Sequence, residues 1–126
     1  MISFEQFILE DGVPIYVQIV QYLKRGMIAG TVADGDELPS RRALSALLGV
    51  NPNTVQKAYR LLEEEGLIQS RAGAKSYVQV DQAVITRLGA ELLREDVKTL
   101  VSALKQTGVT KEAALSLINS MWEEEI

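Results

Sequence analysis

The tripeptide Gly49-Val50-Asn51, which joins two short helical segments, constrains this chain more than any other feature. Asn51 offers a capping side chain, and Pro52 follows at the first helical position, where its missing N–H would have had no partner. Ser40 caps the preceding segment, Leu44, Leu47 and Leu48 form its apolar side, and Gly49 ends it. Two short helices on a three-residue turn containing glycine form a helix-turn-helix, whose later helix is predicted from about Pro52 to Glu65.

The flanking sequence builds a domain around that pair. Ile15, Ile19, Leu23, Met27 and Ile28 recur at helical spacing behind Pro14 and predict a first helix that closes at Gly30. Thr31 to Pro39 holds Gly35, Asp36 and Pro39 and reads as a loop with one short extended piece. Beyond Gly66, Leu67 to Ser70 and Ser76 to Val80 read as two strands around the turn Arg71-Ala72-Gly73-Ala74-Lys75. A hairpin directly after the third helix is a wing, so residues 1–80 are expected to form a winged helix-turn-helix domain.

Residues 81–126 are expected to be a separate helical segment. Val84, Leu88, Leu92, Leu93, Val97, Leu100, Val101 and Leu104 mark a long amphipathic helix ending at Gly108. Thr110 caps a last helix, Val109 and Ala114 make its hydrophobic staple, and its apolar stripe is Leu115, Ile118, Met121 and Trp122. The fold class is mostly α with a small β-hairpin. The length of 126 residues suits one core and one extension.

Charge is unevenly spread. The net charge is −4, yet Ser40 to Leu62 carries Arg41, Arg42, Lys57 and Arg60 without an acid, and Arg71 and Lys75 follow beyond the Glu63-Glu64-Glu65 run. From Asp81 onward eight acids face five bases, so the acidic character belongs mainly to the tail. Cysteine and histidine are both absent, which removes thiolate metal sites, cysteine nucleophiles and the usual acid–base residue of neutral pH. No catalytic site, metal or cofactor is expected. The glutamates at 63–65 are adjacent on a helix, point in different directions and do not converge on one site. No stretch approaches the roughly 20 apolar residues of a membrane span, and Glu5, Glu10 and Asp11 stand where a signal peptide would be basic. The cytoplasm is the default address.

The polar face of the third helix carries the functional reading. Val55, Ala58, Leu62 and part of Tyr59 point inward, leaving Asn53, Thr54, Gln56, Lys57 and Arg60 toward solvent. A helix fits the major groove of a duplex with its N-terminal turn against base edges. Asn53, Thr54 and Gln56 are placed to read or anchor there, while Lys57 and Arg60 suit phosphates. The plain alternative is a solvated polar face. Arg41 and Arg42 occupy the first turn of the second helix, where the helix dipole disfavours cations. A phosphate or a guanine edge would compensate; an ordinary surface pair is the alternative.

Pro14-Ile15-Tyr16 with Gln18-Ile19, Leu38-Pro39-Ser40 with Arg42 and Leu44, the run from Val50 to Tyr59, and Leu62-Glu63 with Glu65-Gly66-Leu67-Ile68 closely resemble the GntR family of bacterial regulators. The resemblance covers about residues 13 to 80, and the short two-helix tail is similar to the YtrA subfamily, which lacks the large ligand-binding domain of other members. It implies DNA contacts from Arg42, Asn51, Asn53, Thr54 and Gln56 and from the wing at Gly73, and a bracing role for Tyr59 that competes with a simple core role. The wing departs from the family pattern of two glycines flanking a basic residue: Lys75 stands where the second glycine is expected. Regulated genes in the family often encode transporters.

The tail needs a partner for its apolar stripes, and a second copy supplies one with two-fold symmetry. Leu88, Leu92, Val97, Leu100, Leu104, Leu115, Ile118 and Trp122 are the expected dimerisation residues. Folding back onto the winged domain is the alternative, and Trp122 reads as an interface anchor rather than a ligand platform. The expected partners are double-stranded DNA and a second copy, giving a homodimeric regulator, a repressor by preference, on a symmetric operator. Nothing in the sequence points to a small-molecule effector, although a dimer interface can hold one. A winged helix that binds protein instead is the competing function, and an enzyme ranks third.

Overall fold

A computed structural model describes residues 2–71 and 75–124. The elements are α1 (Ile15–Ala29), α2 (Arg41–Leu48), α3 (Pro52–Glu64), β1 (Ile68–Arg71), β2 (Lys75–Val78), α4 (Gln82–Gln106) and α5 (Lys111–Glu124). They form two compact units, residues 1–89 and 90–126.

Local chemistry sets most of the boundaries. Ser40 Oγ accepts from the Ala43 N–H at 3.0 Å, Asn51 Oδ1 from Asn53 at 2.7 Å, Asp81 Oδ1 from Val84 at 2.9 Å and Thr110 Oγ1 from Ala113 at 3.1 Å. Pro14 is the cap residue of α1 and has no capping side chain. Gln18 works there instead: it accepts from the Glu10 N–H and donates to the carbonyls of Glu10 and Val13, pinning the preceding loop to α1.

In the first unit α1, α2 and α3 enclose one core. Ile19, Leu23 and Met27 of α1 meet Leu44 of α2 and Val55, Ala58, Tyr59 and Leu62 of α3, all with almost no exposed surface. The hairpin pairs antiparallel in the register Ile68↔Val78 to Arg71↔Lys75; β1 lies one residue later than predicted, and β2 starts one residue earlier and ends two residues earlier. It closes the core with Ile68 and Val78. The extended piece of the loop before α2 is real: Glu37 bridges Tyr77, Val78 donates to the Asp36 carbonyl, and Leu38 donates to that of Ser76.

Two contributions to this core were not legible. Ile2 and Phe4 of the N-terminal arm are buried, and Phe4, Phe7 and Tyr22 form an aromatic cluster with centroids 4.9–5.8 Å apart. Leu88, expected at a subunit interface, is fully buried in this same core, with Val84 and Ile85 packed against it. Its apolar surface is already covered and is not available to a second copy.

In the second unit no described residue is buried. Leu92, Leu104, Ala114 and Ile118 are half-covered, whereas Val97, Leu100, Leu115 and Trp122 are exposed, Trp122 by 78%. Between the later turns of α4 and α5 lies an open apolar groove of about 560 Å³, lined among others by Val97, Leu100, Leu104, Leu115, Ile118 and Trp122. Val109 and Ala114, the staple residues, line it as well. Among the described residues no helix is long and apolar enough to cross a membrane.

Candidate nucleic-acid interface

The turn between α2 and α3 is fastened by one residue. Ser45, buried on α2, donates its hydroxyl to the Val50 carbonyl at 2.6 Å, and its own carbonyl accepts from Gly49 and Val50. Gly49 can close the helix because its φ of 68° lies in the left-handed region, which a side chain disfavours. These bonds leave little freedom in how α3 leaves α2. The two helices therefore present their outer faces as one rigid surface.

On α3, Asn53, Gln56, Lys57 and Arg60 are exposed and Thr54 is half-buried. Asn51 is exposed, with its side-chain oxygen engaged in the cap, so its amide group is what it can offer outward. Arg42 is exposed on α2. Arg41 is half-buried: its guanidinium lies over the Tyr59 ring, 5.1 Å from the centroid, and its Nε is buried without a hydrogen-bond partner. With no acid in the first turn of α2, the face of that ring offsets part of the unfavourable dipole at Arg41.

Tyr59 itself has no surface to give a duplex. It is fully buried, and its hydroxyl donates to the Pro39 carbonyl at 2.7 Å, tying α3 to the residue that precedes the cap of α2. Burial pushes its phenol well above the ordinary range, an effect that the nearby Arg41 charge partly counters. The bracing role fits this geometry; direct contact does not. Lys57 is also held, its Nζ 4.0 Å from the centroid of the Tyr16 ring.

On the hairpin, Arg71 lies 4.5 Å from the Tyr77 centroid, and Lys75 is 4.0 Å from Glu37 with both side chains largely solvated. Lys75 is the first residue of β2, opposite Arg71, so it has extended backbone and does not serve as the turn residue that glycine would supply. Gly73 lies outside the described residues.

The exposed polar groups from Ser40 to Leu62 are thus amides, hydroxyls and cations on a scaffold that holds them fixed, with Leu47, expected on the apolar side of α2, exposed beside them. Such a surface donates hydrogen bonds and attracts anions, and its leading helix has the dimensions of a major groove. Sequence reading passed over two residues that shape it. A signal for Ser45 lies in its place within the apolar run Leu44 to Leu48, where a buried serine needs a hydrogen-bond partner. Tyr16 carried no signal for Lys57, which is distant in sequence.

Comparison with known proteins agrees with this geometry. Residues 15–78 match the family described as bacterial regulatory proteins, gntR family. The uncharacterized HTH-type transcriptional regulator YhcF of Bacillus subtilis is 32% identical over 90% of this chain and 94% of its own length. The HTH-type transcriptional repressor YtrA of the same organism is 36% identical over 81% of this chain and 79% of its own. A GntR family transcriptional regulator from Listeria monocytogenes superposes with a TM-score of 0.76 at 33% identity, covering 89% of this chain and 98% of that one.

Proposed function

The chain belongs to the gntR family of DNA-binding transcriptional regulators and is YtrA-like, and from that premise we propose that it is a homodimeric repressor reading a two-fold symmetric operator in the cytoplasm. The observation that carries the reading is the acid-free, exposed face shared by α2 and the N-terminal half of α3. Asn53, Thr54 and Gln56 meet base edges, while Arg41, Arg42, Lys57, Arg60, Arg71 and Lys75 meet phosphates and set the register. Chemistry on a substrate plays no part: the protein acts by occupying DNA.

Pairing follows from the second unit. Beyond Leu88, α4 and α5 leave every described apolar side chain half-covered or exposed, and their stripes line an apolar groove that a second copy would fill. A C2 pair built this way presents two winged domains to two half-sites, spaced by about 34–36 Å or a multiple. Repression is supported by the likeness to YtrA, which is named a repressor.

Selection of bound sequences from a random duplex pool by the full-length protein tests the reading. The expected result is an inverted repeat whose half-sites lie about 10–10.5 base pairs apart, or a multiple of that. Recovery of a single unrepeated site would refute the symmetric dimer, and recovery of no preferred sequence would refute specific binding.

A further inference from the structure

Three of the four tyrosines each carry a cation on the ring face, and the three pairs join different elements. Lys57 of α3 rests on Tyr16 of α1 at 4.0 Å, Arg41 of α2 on Tyr59 of α3 at 5.1 Å, and Arg71 of β1 on Tyr77 of β2 at 4.5 Å. The fourth, Tyr22, stacks instead on Phe4 in the arm cluster. We propose that Tyr16, Tyr59 and Tyr77 are positioning residues that mount the duplex-facing cations without neutralising them. The inference rests on the DNA-binding reading above and adds to it the means by which the charge is held.

The physical distinction is between two ways of fixing a long cationic side chain. A carboxylate partner holds it but cancels its charge, as Glu65 does for Lys24 at 2.9 Å. An aromatic face attracts the cation through its quadrupole and leaves the net charge intact, with most N–H donors free for phosphate oxygens. The rotamer freedom a lysine or arginine would lose on reaching a phosphate is then lost in advance, which is preorganisation. Tyr16 is half-buried and packs on the core, so its ring cannot follow a wandering lysine. The mount is fixed and the lysine comes to it.

Tyr16 and Lys57 provide the test, with a short mixed-sequence duplex titrated against the full-length protein over a range of salt. Tyr16→Leu keeps an apolar side chain and removes the quadrupole; affinity is expected to fall about two- to five-fold per bound subunit, the equivalent of one exposed cation–aromatic contact. The salt slope stays at the wild-type value, because Lys57 keeps its charge, whereas Lys57→Ala lowers the slope by about one. Lys57→Ala costs less on the Tyr16→Leu background than alone. Tyr16→Phe restores binding. Additive losses, or a Phe variant as weak as the Leu variant, would overturn the mounting role and leave the DNA reading standing. Absence of salt-dependent binding by the wild type would instead remove the reading itself. Circular dichroism checks folding, and Tyr77→Leu with Arg71→Ala repeats the cycle on the exposed hairpin should Tyr16→Leu unfold.

Discussion

Replacing Tyr59 by phenylalanine removes one oxygen from the junction of α2 and α3 and leaves every ring atom in place. The lost O–H···O bond to Pro39 is short, 2.7 Å, and only partly screened from solvent. A bond of this kind is worth about 0.5–1.5 kcal/mol net, and an acceptor left without a partner adds to the cost. Water can reach the half-buried Pro39 in part, so about 1–2 kcal/mol is expected at neutral pH, each kcal/mol moving the melting temperature by about 4–8 °C for a unit of this size. The pH dependence gives an independent check. Burial raises the phenol in the folded state, so the unfolded chain releases this proton first, near the ordinary value of about 10. The stabilisation is complete below that pH and is lost as pH climbs toward the folded value, at about 1.4 kcal/mol per unit. Phenylalanine has no such proton. Urea unfolding of wild type and Tyr59→Phe, at one protein concentration from neutral pH to about pH 11, should therefore show a gap that is constant up to about pH 10 and closes above it. A variant as stable as the wild type at neutral pH, or a gap unchanged in alkali, would refute the reasoning.

Three further outcomes follow from the same geometry. Gly26→Ala places a methyl 2.5 Å from Val32 Cγ2 and 3.2 Å from its Cβ, and Val32 is buried; the overpacking cost of about 1–3 kcal/mol outweighs a helix-propensity gain of about 1 kcal/mol, so thermal unfolding should come earlier, and a raised midpoint would contradict it. Gln56→Ala should cost about 1–3 kcal/mol on the preferred base and relax choice there, whereas Arg60→Ala should weaken all duplexes about equally; identical effects on every sequence would erase the division between reading and anchoring. Truncation after Gly89 keeps Leu88 in its core and should give a folded monomer that binds one half-site weakly, and a stable dimer from it by sedimentation would remove the tail from pairing. A cut after Val80 also strips Leu88 and should cost about 2–5 kcal/mol more.

Much of this was legible because the signals are local. Ser40, the Asn51-Pro52 pair and Thr110 each start a helix through a bond or ring within a few residues, so caps and periodicity locate α2, α3 and α5 without tertiary information. The outward face of α3 followed from helical geometry alone. What escaped is what depends on distant partners. Residues 2–13 have no periodicity, so nothing flagged Ile2 and Phe4 as core. Leu88 continues an unbroken apolar stripe, and sequence cannot say where along a stripe one neighbour ends and another begins. Tyr59 falls on the margin of the inward face, and only the hydroxyl reaching Pro39, 20 residues away, shows it to be wholly interior. The rings beneath Lys57 and Arg71 are likewise tertiary facts.

The most direct measurement is the affinity of the full-length protein for its selected duplex and for a shuffled one, each followed across salt concentration. Phosphate neutralisation by the cations of α2, α3 and the hairpin should make both affinities fall steeply, by about 0.9 in log K per log salt for each phosphate contacted. The selected duplex should keep an advantage of about a thousandfold or more, supplied by the amide and hydroxyl groups at the front of α3. Equal affinity for the two duplexes, or binding indifferent to salt, would contradict the assignment of that helix to DNA.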